Sequence, residues 1–205
     1  MTDIPITLAV EDALSEAVLK AMLHQCDKPF SVGNCLGRGG YGYIKKIIPG
    51  LNAAAKGMPC LVLTDLDNAE CPLTLLSSWL PQPKHPNLIF RVAVTEVEAW
   101  LLAHREAFSE FLGISTKHIP NDVDEITDPK QHLINLARKS KKRSLREAIV
   151  PASNSTAKIG KDYNGQLIQF VQQSWQIDSA QVHSQSLQRA MNAITRFEPI
   201  WEAKT

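Results

Sequence analysis

Apolar runs of strand length alternate with amphipathic helical segments through the first half of the chain, and this alternation constrains the fold more than any other feature. Residues 6–11 (Ile-Thr-Leu-Ala-Val-Glu) read as a short buried strand. Residues 12–24 follow with Leu14, Val18, Leu19, Met22 and Leu23 at helical spacing. Residues 30–35 are a weaker strand, broken by Gly33 and Asn34. A glycine-rich turn at 37–42 leads into a helical stretch from Tyr43, which Pro49-Gly50 is expected to kink or divide. Residues 59–64 are the clearest strand, ending at Asp65-Leu-Asp67. A helix over 73–80, a connector marked by Pro81, Pro83 and Pro86, a strand over 88–94 and a helix through Glu96-Val-Glu98-Ala-Trp100 complete the pattern. Such alternation predicts an α/β fold, Rossmann-like, with a mostly parallel sheet flanked by helices.

The second half changes character. After Gly113 the sequence shows no strand pattern, only a loop containing prolines and acids, then helices. Asp128-Pro-Lys carries the cap-then-proline signature of a helix start, and residues 163–176 and 179–197 read as two more helices with Gln and Ser on their outer faces. The expected organisation is an α/β core over 1–112 and a helical C-terminal region over 113–205.

Composition narrows the class. A chain of 205 residues with 44% hydrophobic and 21% charged residues and a net charge of +1 can build a core. It is neither a disordered acidic tail nor a histone-like basic protein. No apolar run approaches membrane-spanning length and no signal-peptide pattern opens the chain, so no membrane association and a cytoplasmic location are expected. Cys26, Cys35, Cys60 and Cys71 contain no Cys-x-x-Cys pair, and are expected to be reduced, mostly buried thiols.

Chemistry concentrates at strand ends. Glu11 closes the first strand, and Asp65 and Asp67 close another. In an open parallel sheet, ligands collect beyond the carboxyl ends of the strands. Residues two apart in extended chain point to one side, so Asp65 and Asp67 are placed to face one ion. Hard oxygen donors suit Mg²⁺ or Mn²⁺, and a divalent cation offsets the repulsion between converging acids. The competing reading of an Asp after a strand is a turn former or a helix cap.

The order Leu8-Ala-Val-Glu11, a glycine-rich turn, then Leu61-Val-Leu-Thr-Asp65-Leu-Asp67 resembles the TOPRIM domain of topoisomerases, bacterial primases, small RNA-maturation nucleases and OLD-family nucleases. More narrowly, Arg91-Val-Ala-Val-Thr-Glu-Val-Glu98-Ala-Trp100-Leu-Leu and Ser184-Gln-Ser-Leu-Gln-Arg189-Ala make the chain similar to small stand-alone TOPRIM-like proteins, often encoded beside ABC-type ATPases in mobile or phage-defence loci. The resemblance implies that Glu11 is the general acid/base or a metal-linked acid and that Asp65 and Asp67 are metal ligands. In nuclease-type relatives an additional acid supports a second metal, and Glu98 is the choice here. Two features depart from the pattern: Asp12 stands where many TOPRIM enzymes have glycine, and Asn68 follows the second aspartate. A topoisomerase is not expected, for lack of room for strand-passage and nucleophilic-tyrosine domains, nor is a primase, for lack of a zinc module.

Other residues carry weaker signals. Glu96 and Glu98, placed on one helix, point about 200° apart and are not expected to share an ion. Trp100, Leu101 and Leu102 read as core. Arg91 lies within a strand and needs a partner, either an acid or a substrate phosphate. Gly37-Arg-Gly-Gly-Tyr-Gly42 matches a dinucleotide-binding pattern, but it follows the weak strand, and the helix after it contains Pro49. A phosphate contact by its backbone with Arg38 is the alternative. Residues 138–146 hold six cations in nine positions (Arg138, Lys139, Lys141, Lys142, Arg143, Arg146), either a nucleic-acid contact or a solvated helix end. Lys158, Lys161 and Tyr163 around Gly160 are a second phosphate candidate.

Two functions follow as expectations. One is a Mg²⁺- or Mn²⁺-dependent nuclease acting on nucleic acid, DNA ahead of RNA, in a phage-defence or mobile-element setting. The other is a non-catalytic accessory subunit docked on an ATPase partner. A nicotinamide-dependent oxidoreductase is a third, minor reading.

Overall fold

The computed structural model describes residues 3–37, 39–67 and 69–201. The described residues form two compact units, one from those up to 94 together with 189–201, the other from 95–188. The division falls at Val94/Thr95, ahead of the change in composition at Gly113.

The first unit is built on four parallel strands, β1 (Ile4–Val10), β2 (Phe30–Gly37), β3 (Cys60–Asp65) and β4 (Leu88–Ala93), in the order β2-β1-β3-β4. Three helices make the crossovers: α1 (Ala13–His24), α2 (Gly40–Ala54) and α3 (Pro72–Trp79). This is the α/β class expected from the alternation. β3 lies between β1 and β4 and is buried on both faces, which is why Cys-Leu-Val-Leu reads as an unbroken apolar run. β2 lies at an edge, so its middle, with Gly33 and Asn34, is exposed and its signal is diluted.

One face of the sheet presents Ala9, Val62, Phe90 and Val92 to Ile44, Ile48 and Leu51 of α2 and to Leu75 and Trp79 of α3. Leu14, Val18, Leu19 and Met22 of α1 are fully buried outside that cluster. The chain steps from β1 to β2 in one direction and from β2 past β1 to β3 in the other. Right-handed crossovers therefore put α1 and α2 on opposite faces. Pro49 does not divide α2, which continues through it. Pro49, Gly50 and Lys45, whose carbonyl loses its helical donor, are all exposed, so water can satisfy that carbonyl.

The C-terminal segment belongs to this unit because Asn87, 0% exposed, holds it. Its amide donates to Ala55 O (3.0 Å) and Ile200 O (2.8 Å) and accepts from Ile200 N (2.8 Å). Lys28 adds contacts to Phe197 O and to Glu198 (2.5 Å).

The second unit is helical: α4 (Val97–Ala103), α5 (Arg105–Leu112), a 3₁₀ turn (Thr116–His118), α6 (Pro129–Arg138), α7 (Arg143–Ile149), α8 (Tyr163–Gln173), α9 (Ile177–Ala180) and the start of α10 (Gln185–Thr195). α4 is buried along its whole length, with Trp100, Leu101 and Leu102 at 0% exposure, as core residues should be. Trp100 Nε1 donates to Ser186 Oγ (2.7 Å), and Trp175 Nε1 donates to Trp100 O (3.0 Å). Asp128 caps α6 through Gln131 N (2.8 Å), as its cap-proline signature predicts.

The continuous helix expected over 179–197 is instead two, α9 and α10. Asp124 causes the break: it accepts from the hydroxyl of Ser184 (2.7 Å) and from the amide (2.8 Å) and hydroxyl (3.1 Å) of Ser186. Ser184 then caps α10 through Leu187 N (3.1 Å). These two serines are buried, not on an outer face. None of the four cysteines forms a disulfide, but only Cys60 is buried; the other three are half-buried.

Candidate functional site

The strand order creates a switch point between β1 and β3, where the chain leaves towards opposite faces of the sheet and a crevice opens beyond the strand ends. Glu11 follows β1 and Asp65 ends β3, so both lie at this switch. Glu11 Oε1 accepts the Thr64 hydroxyl and the Asp65 amide N–H (3.1 Å), which ties the two strand ends together. Glu11 Oε2 has no hydrogen bond to a described residue. Burial raises the protonation range of Glu11 above the ordinary carboxylate value. The Thr64 and Asp65 hydrogen bonds oppose that rise, and the charges of Asp67 and Asp12 reinforce it.

The loop chemistry explains the neighbours. Asp12 is the N-cap of α1, accepting Ser15 N (2.8 Å), so the departure from glycine supplies a helix cap. Glu11 O accepts Gly40 N (3.0 Å), which draws the glycine turn onto the end of β1. Gly37 has φ 138, and a Cβ there would stand 1.8 Å from Val10 O. Gly37 thus serves the close approach of edge strand β2 to β1. Arg38 and Asn68 lie outside the described residues.

Asp67 does not follow the strand geometry assumed for it. β3 ends at Asp65, Leu66 turns into the core and donates to Ala93 O (3.0 Å), and Asp67 is left-handed with φ 48. The same-side rule for extended chain therefore stops before Asp67. Among the described residues, no group of three or more His, Cys, Asp or Glu side chains stands at metal-binding spacing. The candidate donors at the switch, Glu11, Asp65 and Asp67, are carboxylates. They fit Mg²⁺ or Mn²⁺ taken by one or two of them with water completing the shell, not a closed protein cage.

Glu98 belongs to the second unit and is 2% exposed. Its Oε1 accepts from the Tyr163 hydroxyl (3.0 Å) and pairs with Lys130 Nζ (3.5 Å). The same ammonium is 3.4 Å from Glu96 Oε1, so the two glutamates share one cation after all. The helical argument against this failed because α4 starts at Val97, and Glu96 is its extended N-cap residue. Glu96 Oε2 also accepts Lys130 N (2.8 Å) and so supports the start of α6. Burial raises the protonation range of Glu98, against the pull of Lys130. Tyr163 is thereby committed to Glu98, which removes it from the phosphate contact suggested around Gly160. Gly160 answers a steric demand: a Cβ there would stand 2.1 Å from Ala148 O.

The basic run is largely in structural use. Lys142 donates to Glu110 O (2.9 Å) and Phe111 O (3.0 Å) at the end of α5. Arg146 holds Ser140 O (2.7 Å), Arg138 holds Asn135 (2.7 Å) and Arg143 pairs with Glu147 (2.8 Å). Lys139 lies 3.4 Å from His118 Nδ1. Lys141 and Lys161 are exposed. Arg91, on β4, pairs with no described acid.

Sequence reasoning missed three residues that organise these sites. Thr64 is a hydroxyl in an otherwise apolar strand, and that interruption was the available signal. Lys130 stands just after the Asp-Pro cap. Asp124 leaves no local mark at all.

The first unit therefore defines a parallel-sheet α/β protein with acids at its switch point. No family model and no curated protein matches the chain. Among solved structures, the C-terminal region of the Burkholderia pseudomallei OLD protein is similar at 17% identity and a TM-score of 0.44, covering 93% of this chain and 96% of that one. No helix among the described residues is long and apolar enough to cross a membrane.

Proposed function

We propose that the chain is a Mg²⁺- or Mn²⁺-dependent phosphodiester hydrolase acting on nucleic acid, DNA ahead of RNA, in a phage-defence or mobile-element setting. The observation that carries this reading is the Glu11 carboxylate, lodged between the ends of β1 and β3 beside Asp65 at the switch point. A divalent cation held by Asp65 and Asp67 would stabilise charge on the scissile phosphate and lower the pKa of an attacking water. Thr64 and the Asp65 amide hold Glu11 Oε1, leaving Oε2 to take or give a proton. A raised protonation range moves Glu11 toward the pH at which such transfer is efficient. Lys139, Lys141 and Lys161 are the proposed backbone contacts. Glu98 has no role in this proposal, because Lys130 and Tyr163 already satisfy it.

A Mn²⁺ titration of wild type beside an Asp65→Asn, Asp67→Asn double variant tests it. Saturable binding lost in the variant is expected; binding of equal strength in both overturns it. The structural use of Lys142, Arg143 and Arg146, which takes those cations from a nucleic-acid backbone, favours a second reading, an accessory subunit for an ATPase partner. Negligible binding by both proteins moves the assignment there.

A further inference from the structure

A cavity of about 460 Å³ opens at the starting ends of β1 and β2, the opposite end of the sheet from Glu11 and Asp65. Three segments of the first unit wall it: Asp3 and Ile4 at the head of β1, Asp27 and Pro29 ahead of β2, and Pro199 and Trp201 near the C-terminal end. Contacts within the unit fix these walls against one another. Ile4 N donates to Pro29 O (2.8 Å), and Lys28 reaches Phe197 O and Glu198. Phe197 stacks on Phe30 with ring centroids 6.4 Å apart, and the buried amide of Asn87 clasps Ile200. Trp201, one residue beyond that clasp, remains 53% exposed, with exposed Ile200 beside it.

Charge on these walls is unbalanced. Lys28 lines the cavity too, but Glu198 already neutralises it. Asp3 and Asp27 are exposed and make no hydrogen bond or ion pair with a described residue. A hard, hydrated cation such as Mg²⁺ takes oxygen donors all round, which the indole, the two prolines and Ile4 do not supply. An organic cation suits both parts of the wall, its charge meeting the carboxylates while its body lies on the indole face. A guanidinium does so better than an ammonium, because its planar fork pairs bidentately with a carboxylate and stacks on an aromatic ring. The same carboxylates repel phosphate, so this end of the sheet does not take a nucleic-acid backbone. Exposed Trp201 and Ile200 give it the apolar surface of a protein contact, and the cavity has room for an arginine with its neighbours. We propose that the cavity docks an arginine-bearing segment of a partner protein, with Asp3 and Asp27 pairing the guanidinium and Trp201 stacking on it. The proposal goes beyond the nuclease reading, and it stands whether or not the acids at the switch point bind metal.

Of the four tryptophans, Trp79, Trp100 and Trp175 are at most 3% exposed, so Trp201 supplies the signal that a docked peptide alters. Acrylamide quenching of the full chain is followed while a capped peptide with one central arginine between leucines is added. The same peptide with lysine or with glutamine in place of arginine is added in parallel. The arginine peptide is expected to protect Trp201 saturably, the lysine peptide several-fold more weakly, and the glutamine peptide at least about tenfold more weakly. An Asp3→Asn, Asp27→Asn double variant alters two exposed side chains, and is expected to lose the preference for arginine over glutamine. Trp201→Leu, read by the anisotropy of a fluorescein-labelled arginine peptide, is expected to bind several-fold more weakly. Equal binding of the arginine and glutamine peptides, equal affinity in wild type and the double variant, or no protection up to millimolar peptide overturns the proposal. Protection that rises with protein concentration in the absence of peptide also overturns it, and assigns the cavity to a second copy of the chain.

Discussion

Replacing Glu98 by glutamine and by alanine separates a buried structural acid from a metal ligand. Glutamine keeps an oxygen for the Tyr163 hydroxyl and nearly the same shape, but removes a charge that burial disfavours. Alanine removes the acceptor, the cation's partner and the packed stem. A buried hydroxyl that loses an acceptor costs about 1–3 kcal/mol, and the lost stem adds about 1 kcal/mol. Lys130 keeps Glu96 and is 40% exposed, so its own loss falls at the low end. Glu98→Ala is therefore expected to cost about 2–4 kcal/mol, a fall in Tm of about 5–15 °C for a chain of this size. Glu98→Gln is expected to lie within about 1 kcal/mol of wild type at pH 7, or above it.

The pH dependence sharpens the contrast. A folded-state pKa raised above the ordinary value of 4.5 means that the native protein holds this proton more tightly than the unfolded chain does. Wild-type stability thus falls relative to Glu98→Gln as pH rises from about 4.5 through the raised value, and the two proteins converge below it. Urea denaturation at several pH values between 4 and 8 measures the difference directly. A Glu98→Gln protein that is more than about 2 kcal/mol less stable at pH 7, with the gap closing on acidification, would refute the reasoning by showing that the charge itself stabilises the fold.

Other perturbations follow from the same structure. Gly37→Ala places a Cβ 1.8 Å from Val10 O at φ 138, and is expected to cost more than about 3 kcal/mol or prevent folding, read by urea denaturation; wild-type stability would disprove the close approach of β2 to β1. Asn87→Ala removes the buried amide that holds Ile200, and is expected to cost about 2–4 kcal/mol and to open residues 198–201 to limited proteolysis; unchanged cleavage would contradict the clasp. Mn²⁺ affinity is expected to climb, by less than about tenfold per pH unit, as pH rises through the raised Glu11 value, because an ionised Glu11 beside Asp65 attracts the cation without ligating it, and the climb is flattened in Glu11→Gln. A pH-independent wild-type affinity across that range would remove Glu11 from the site.

Legibility in the sequence tracked how local each signal was. The strand and helix alternation, the Asp128 cap and the core character of Trp100 were readable because each depends on neighbours along the chain. Whether Pro49 would divide α2 was not readable, since whether proline breaks a helix depends on the exposure of the carbonyl it orphans. The helix over 179–197 was misjudged because Asp124, sixty residues away, competes for Ser184. Glu96 and Glu98 were separated by an assumed helix that starts one residue later than Glu96.

By itself the sequence determined the period of each segment, and so the parallel α/β class of the first unit and the helical nature of the second. It also put acids at the ends of two strands. Only the tertiary structure decided which strand ends meet. Strand order depends on crossover handedness and on burial of both faces, and it set β1 beside β3, bringing Glu11 onto Thr64 and the Asp65 amide. Likewise, Lys130 reached Glu98, and Asn87 reached Ile200, only through folding. Side-chain partners far apart in sequence are selected by packing, and hydrophobic periodicity carries no record of that choice.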